Sequence, residues 1–132
     1  MLLALILLAP AMTVAQDGSA EEALRKRAQA FWEARVKEDY AAQYQFLEPK
    51  LRRTLSLADY IKRQGPVQYL EARVGDVKVE EATGVVKVHL RVKLKTLSMS
   101  RNIPDLSKQA HEVSDEWVRR TGEWYRLYSQ EK

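Results

Sequence analysis

The chain contains no cysteine among its 132 residues. A disulfide framework is thereby excluded, as is a lipid anchor on an N-terminal cysteine, and an apolar core is left to hold the fold. Histidine is nearly as scarce. His89 and His111 are the two present, and without thiolates they do not amount to a dedicated zinc site. Five glycines are scattered along the chain; none lies in a loop of the kind that cradles phosphates, and no serine stands in a nucleophile-elbow context. No apolar run reaches the roughly 20 residues that a membrane-spanning helix takes. The expectation is a chain that is not transmembrane, with no catalytic residue, no metal and no cofactor.

Charge is missing from the opening stretch, where the first charged side chain is Asp17. Residues 1–15 are apolar, broken by Pro10, and end in Thr13-Val14-Ala15, which puts small residues at the −3 and −1 positions of a cleavage site. This reads as a signal peptide cut after Ala15, leaving 16–132 as a single domain of a periplasmic or secreted protein. Because the leader is uncharged, the formal net charge of +4 falls entirely on that domain.

The domain begins with helical spacing. Ser19-Ala20-Glu21-Glu22 has the form of a capping box, and Leu24, Ala28, Phe31, Trp32 and Arg35 recur at helical intervals to about Lys37. Asp39 caps a second short helix that ends near Glu48, before Pro49. Ser56-Leu57-Ala58-Asp59 opens a third, with Gly65 as its left-handed cap. From Val67 the period changes to two. A long strand to Glu80 carries a bulge at Gly75-Asp76, and a turn follows at Glu81 to Gly84. The next strand, Val85 to Leu97, alternates cleanly, with Val86, Val88, Leu90, Val92 and Leu94 on the apolar side. A polar loop (98–110) leads to a hairpin turning at Thr121-Gly122, which sets Trp117 opposite Arg126 and Arg119 opposite Trp124. Helices first and four antiparallel strands after them make an α+β domain, with the helices in the concave face of a curved sheet.

Ala30-Phe31-Trp32-Glu33-Ala34-Arg35, Asp39-Tyr40, Tyr44-Gln45-Phe46-Leu47-Glu48-Pro49, Ser56-Leu57-Ala58-Asp59-Tyr60 and the Trp117–Trp124 hairpin resemble, in that order, the nuclear transport factor 2-like superfamily, the cystatin-like cone shared with SnoaL-like proteins. The resemblance implies a cone with a pocket at its open end and association as a homodimer through the sheet. It implies no reaction, since that superfamily holds enzymes and non-catalytic domains alike, and no family catalytic position is matched here.

Two sets of residues stand out as candidate sites. Trp32, Tyr44, Tyr60, Trp117 and Trp124 suit the lining of a cavity for a small apolar ligand, because their rings are apolar and their N–H or O–H groups are not. They serve equally as core filling. Lys87, His89, Arg91, Lys93 and Lys95 alternate along one strand, with no acid between Lys87 and Arg101. In an exported protein such a ladder faces an envelope polyanion and not nucleic acid; otherwise it is a solvated face. His89 in that company is a surface histidine. Asp59 reads as a helix cap, and Asp115, between Glu112 and Glu116, as a solvated strand residue. The expected function is an exported, non-enzymatic binding or accessory module. The alternatives are a small-molecule isomerase or cyclase using the same pocket, and a self-associating structural protein of the envelope.

Overall fold

The computed structural model describes residues 16–95 and 110–128. The expected leader, its cut site and nearly all of the polar loop lie outside the described residues.

Helix α1 (Gln16–Val36) buries Leu24, Ala28, Phe31 and Trp32 along one stripe. It begins three residues before Ser19, so the expected capping box lies inside the helix. Its C-terminal turn is closed by Glu38 N–H to Arg35 C=O and Asp39 N–H to Ala34 C=O, with Glu38 in the left-handed region at φ 56°. Asp39 then caps α2 (Tyr40–Tyr44), its carboxylate accepting from the Ala42 amide. A one-turn helix α3 (Pro49–Arg52), with Pro49 at its first position, was not anticipated. Helix α4 (Leu57–Lys62) is capped by Ser56, as its sequence implies. Gly65 is not left-handed; Gly122 is the one glycine with positive φ among the described residues.

Four strands follow in a meander, β1 (Val67–Glu80), β2 (Thr83–Leu94), β3 (His111–Arg120) and β4 (Glu123–Arg126), each antiparallel to its sequence neighbour. Both hairpin turns have two residues. Glu81 opens the first at φ 55°, and Thr121 and Gly122 make the second at φ 51° and 79°, the positive values that a tight hairpin turn demands. The register of β1 on β2 slips between Val74 and Val77, at the expected bulge, and again between Tyr69 and Glu71. The result is α+β, with the helices packed on a curled four-stranded antiparallel half-barrel.

Helix α1 lies across β1 and β2. Val86, Val88, Leu90 and Val92 meet Phe31, Trp32, Phe46, Trp117 and Trp124 in one core, while Leu94, at the strand end, is half-buried. Phe31 sits edge-on to Trp32, Phe46 and Trp117, with ring centroids 5.4, 5.7 and 6.0 Å away. At Gly84 on β2 the Leu24 side chain of α1 packs directly on the strand. A β-carbon there would overlap Leu24 Cδ2 and come within 3.3 Å of Trp124. A second, smaller cluster of Leu47, Leu55 and Tyr60 gathers Tyr40, Tyr44 and Tyr128 around it.

Candidate functional site

Among the described residues Asp115 is the buried charged side chain, 4% exposed at the middle of β3. Its Oδ2 accepts from the indole N–H of Trp32 at 3.0 Å and of Trp117 at 3.1 Å, and its Oδ1 from Arg126 Nε at 2.7 Å. The expectation of a solvated carboxylate is corrected here, and the reason is parity. Asp115, Trp117 and Arg119 share one face of β3, and the Trp117 face is the concave one. Arg126, opposite Trp117 in the register, is the diagonal neighbour of Asp115. An ion pair out of water survives when its remaining hydrogen-bonding capacity is met, which the two indoles do.

Beside this cluster the concave side opens into a cavity of about 1220 Å³. Trp32 and Arg35 of α1, Arg63 after α4, Tyr69 of β1, and Asp115 and Val113 of β3 are among its walls. Arg35 Nη2 donates to the Tyr69 hydroxyl at 2.9 Å, and the guanidinium lies 4.6 Å from the Tyr69 ring centroid and 5.6 Å from that of Trp32. At the rim, Lys95 Nζ pairs with Glu38 at 2.6 Å and donates to the Tyr40 hydroxyl at 3.0 Å. The bond to Glu38, and after it the bond to Tyr40, holds the Lys95 pKa above its ordinary 10.5. Behind the wall, Tyr60 donates to Gln43 Oε1 at 2.9 Å, and Gln43 in turn donates to the Ala34 carbonyl. Burial pushes the Tyr60 hydroxyl above its ordinary pKa of 10.0, opposed by the nearby cations Arg35 and Arg126.

Of the five aromatic residues singled out for a lining, Trp32 is the one placed on the cavity wall. Tyr44 and Tyr60 pack in the second cluster, where the Tyr44 hydroxyl bonds the carbonyls of Arg52 and Leu55. Trp117 and Trp124 are enclosed in the main core. Sequence reasoning did not single out Arg35, Tyr69 or Arg126 for the site, and it weighed Asp115 as a solvated residue. Arg35 did carry a signal, a cation at helical spacing on the apolar stripe of α1. Tyr69 carried none, because it lies at an irregular step of β1.

The basic ladder is placed on the outer side of β2, where strands on either side bring acids to it. Glu112 of β3 lies 3.9 Å from Lys87 Nζ and 3.5 Å from His89 Nδ1, and Glu71 of β1 lies 3.3 Å from Arg91. The pairings follow the register, His89 opposite Glu112 and Arg91 opposite Glu71. Lys95 turns away to the cavity rim, which leaves Lys93 without a carboxylate partner among the described residues.

Among the described residues no group of three or more His, Cys, Asp or Glu is arranged to hold a metal, and no helix is long and apolar enough to cross a membrane. No protein-family model matches the chain, and no curated protein matches it in sequence. In three dimensions it is similar to the solution structure of RPA3114, a SEC-C motif containing protein from Rhodopseudomonas palustris, at a TM-score of 0.52 and 18% identity over 74% of this chain and 69% of that one. A likeness at that identity is one of fold. The nuclear transport factor 2-like resemblance is corrected by these findings, since short capped helices and a Trp-bearing hairpin are common to many α+β domains, and the solved neighbour carries a different motif name.

Proposed function

We propose that the protein is an exported binding module, without enzymatic activity of its own, whose half-barrel cavity holds a small molecule. The observation that carries this reading is the cavity itself. At about 1220 Å³ it is large enough to take a small molecule, and its walls combine aromatic faces with many charged and polar side chains. Both oxygens of Asp115 are engaged by side chains of the fold, which favours a structural over a catalytic use of that carboxylate. The apolar run of residues 1–15, ending in the small-residue pattern Thr13-Val14-Ala15, supports export. Titration of the protein with the neutral dye N-phenyl-1-naphthylamine tests the reading. The expected result is saturable fluorescence enhancement with quenching of Trp emission, the quenching reduced in Trp32→Phe. Absence of saturable binding would remove the cavity as a small-molecule site.

A further inference from the structure

Charge pairing around the cavity is uneven. Arg126 is matched by Asp115, and Lys95 by Glu38. Arg35 is half-buried on the same wall and, among the described residues, has no carboxylate within ion-pair distance. The only hydrogen bond of its side chain among them goes to the Tyr69 hydroxyl. Arg63 and Glu116, also on the cavity lining, are both exposed to solvent.

Resting on the reading of the cavity as a small-molecule site, we propose that its ligand is a small organic anion, a carboxylate or sulfonate with an apolar body, whose acid group sits on the guanidinium of Arg35. The guanidinium carbon lies 4.6 Å from the Tyr69 ring centroid and 5.6 Å from that of Trp32, so the cation is held between two aromatic rings. Of the five guanidinium N–H donors the bond to Tyr69 takes one, and the others remain to form the fork for a planar acid group. The Tyr69 hydroxyl accepts from Arg35 and retains its own proton, a second donor for the same anion. Partial burial raises the strength of such a contact above what an exposed arginine supplies. The apolar body then has Trp32, Leu90 and Val67 to lie against, all of which line the cavity. A lysine at position 35 would supply the charge without the fork.

A matched pair of dyes separates this proposal from the reading it rests on. 1-Anilinonaphthalene-8-sulfonate carries an acid group, and N-phenyl-1-naphthylamine is the same aromatic body without one. The wild-type protein is expected to bind the sulfonate more tightly by about tenfold or more, the worth of a hydrogen bond to a charged group. Arg35→Gln should abolish that preference and leave the neutral dye within about twofold of its wild-type affinity. Should Arg35→Gln fail to fold, as judged by near-ultraviolet circular dichroism, Arg35→Lys carries the same comparison: a weakened sulfonate with an unaltered neutral dye supports the fork. Equal affinity of the wild type for the two dyes overturns the anion site while leaving the cavity reading intact. So does a preference that survives loss of the fork, which places the sulfonate elsewhere, as on the outer cations of β2. Binding of neither dye overturns both.

Discussion

Trp32 and Asp115 are 83 positions apart in sequence, and the indole nitrogen of one stands 3.0 Å from the carboxylate of the other. Through that contact α1 is tied to β3, and through the bond of Asp115 to Arg126 both are tied to β4.

Asp115→Ala is therefore expected to destabilise the fold by about 3–5 kcal/mol, the range for removing one partner of a buried ion pair. It strands the Arg126 charge and two indole N–H groups without an acceptor. Asp115→Asn keeps the shape and part of the acceptor capacity and should cost less. Urea unfolding followed by Trp emission measures both. A loss below about 0.5 kcal/mol for the alanine, the ordinary scatter of surface substitutions, would show that the cluster does not hold the elements together.

Gly84→Ala should cost about 1–3 kcal/mol, because the new methyl is forced against Leu24 in a packed core. The cause can be isolated with a second change. In a Leu24→Ala background the obstruction is gone, so Gly84→Ala should then be much less harmful, and the double variant should be less unstable than the sum of the singles. Strict additivity would trace the cost to the backbone rather than to the helix contact.

Stability should fall on the alkaline side. Tyr60 and Lys95 both have folded-state pKa values above their ordinary 10.0 and 10.5. Past those values the folded chain keeps protons that the unfolded chain has released. Their contribution is full below the unfolded-chain values and is lost as the pH rises through the folded-state ones. Unfolding midpoints taken from about pH 9 to about pH 11 should decline, and Tyr60→Phe should flatten part of that decline. An unchanged slope in Tyr60→Phe would remove the tyrosine from the account.

The outer cations of β2 should attract anions weakly while Glu71 and Glu112 lie beside them. Vesicles containing phosphatidylglycerol are expected to bind the wild type little at 0.1 M salt, where the Debye length is about 10 Å. Glu71→Gln with Glu112→Gln should unmask binding that is lost again toward 1 M salt. Strong, salt-sensitive binding by the wild type would show that the ladder is an interaction surface as it stands.

The alternation of β2, the bulge of β1 and the Thr121-Gly122 hairpin were legible because each is written within a few consecutive residues. Strand period and turn chemistry are local, and the register at Trp117 and Arg126 follows from turn length alone. Asp115 was misread because its sequence neighbours, Glu112 and Glu116, are acidic while its spatial neighbours are a helix indole and a cation of the next strand. The charge balance of the ladder was hidden for the same reason. Its own strand holds no acid, and the acids come from Glu71 and Glu112 on the strands to either side. The cavity was only half legible. Trp32 announces itself as a large aromatic residue on a helix, whereas the role of Arg35 depends on Tyr69, supplied by the edge strand across from it. Gly65 shows the same limit on a small scale, since the chain leaves α4 through Arg63 at φ −85° and needs no left-handed residue there.

The meander order of the sheet has a kinetic consequence. Every strand pairs with its sequence neighbour, so zipping the sheet closes mostly short loops and is fast by the measure of contact order. One step is different. β4 is hitched beside the segment after α2, with Arg126 N–H donating to the Phe46 carbonyl and Arg126 bridged to Leu47, and it delivers the cation that Asp115 needs. Until β4 arrives, closure of α1 over the sheet would enclose an unmatched carboxylate. Helix docking and the final strand are therefore expected to form together, late in folding, as a single cooperative event.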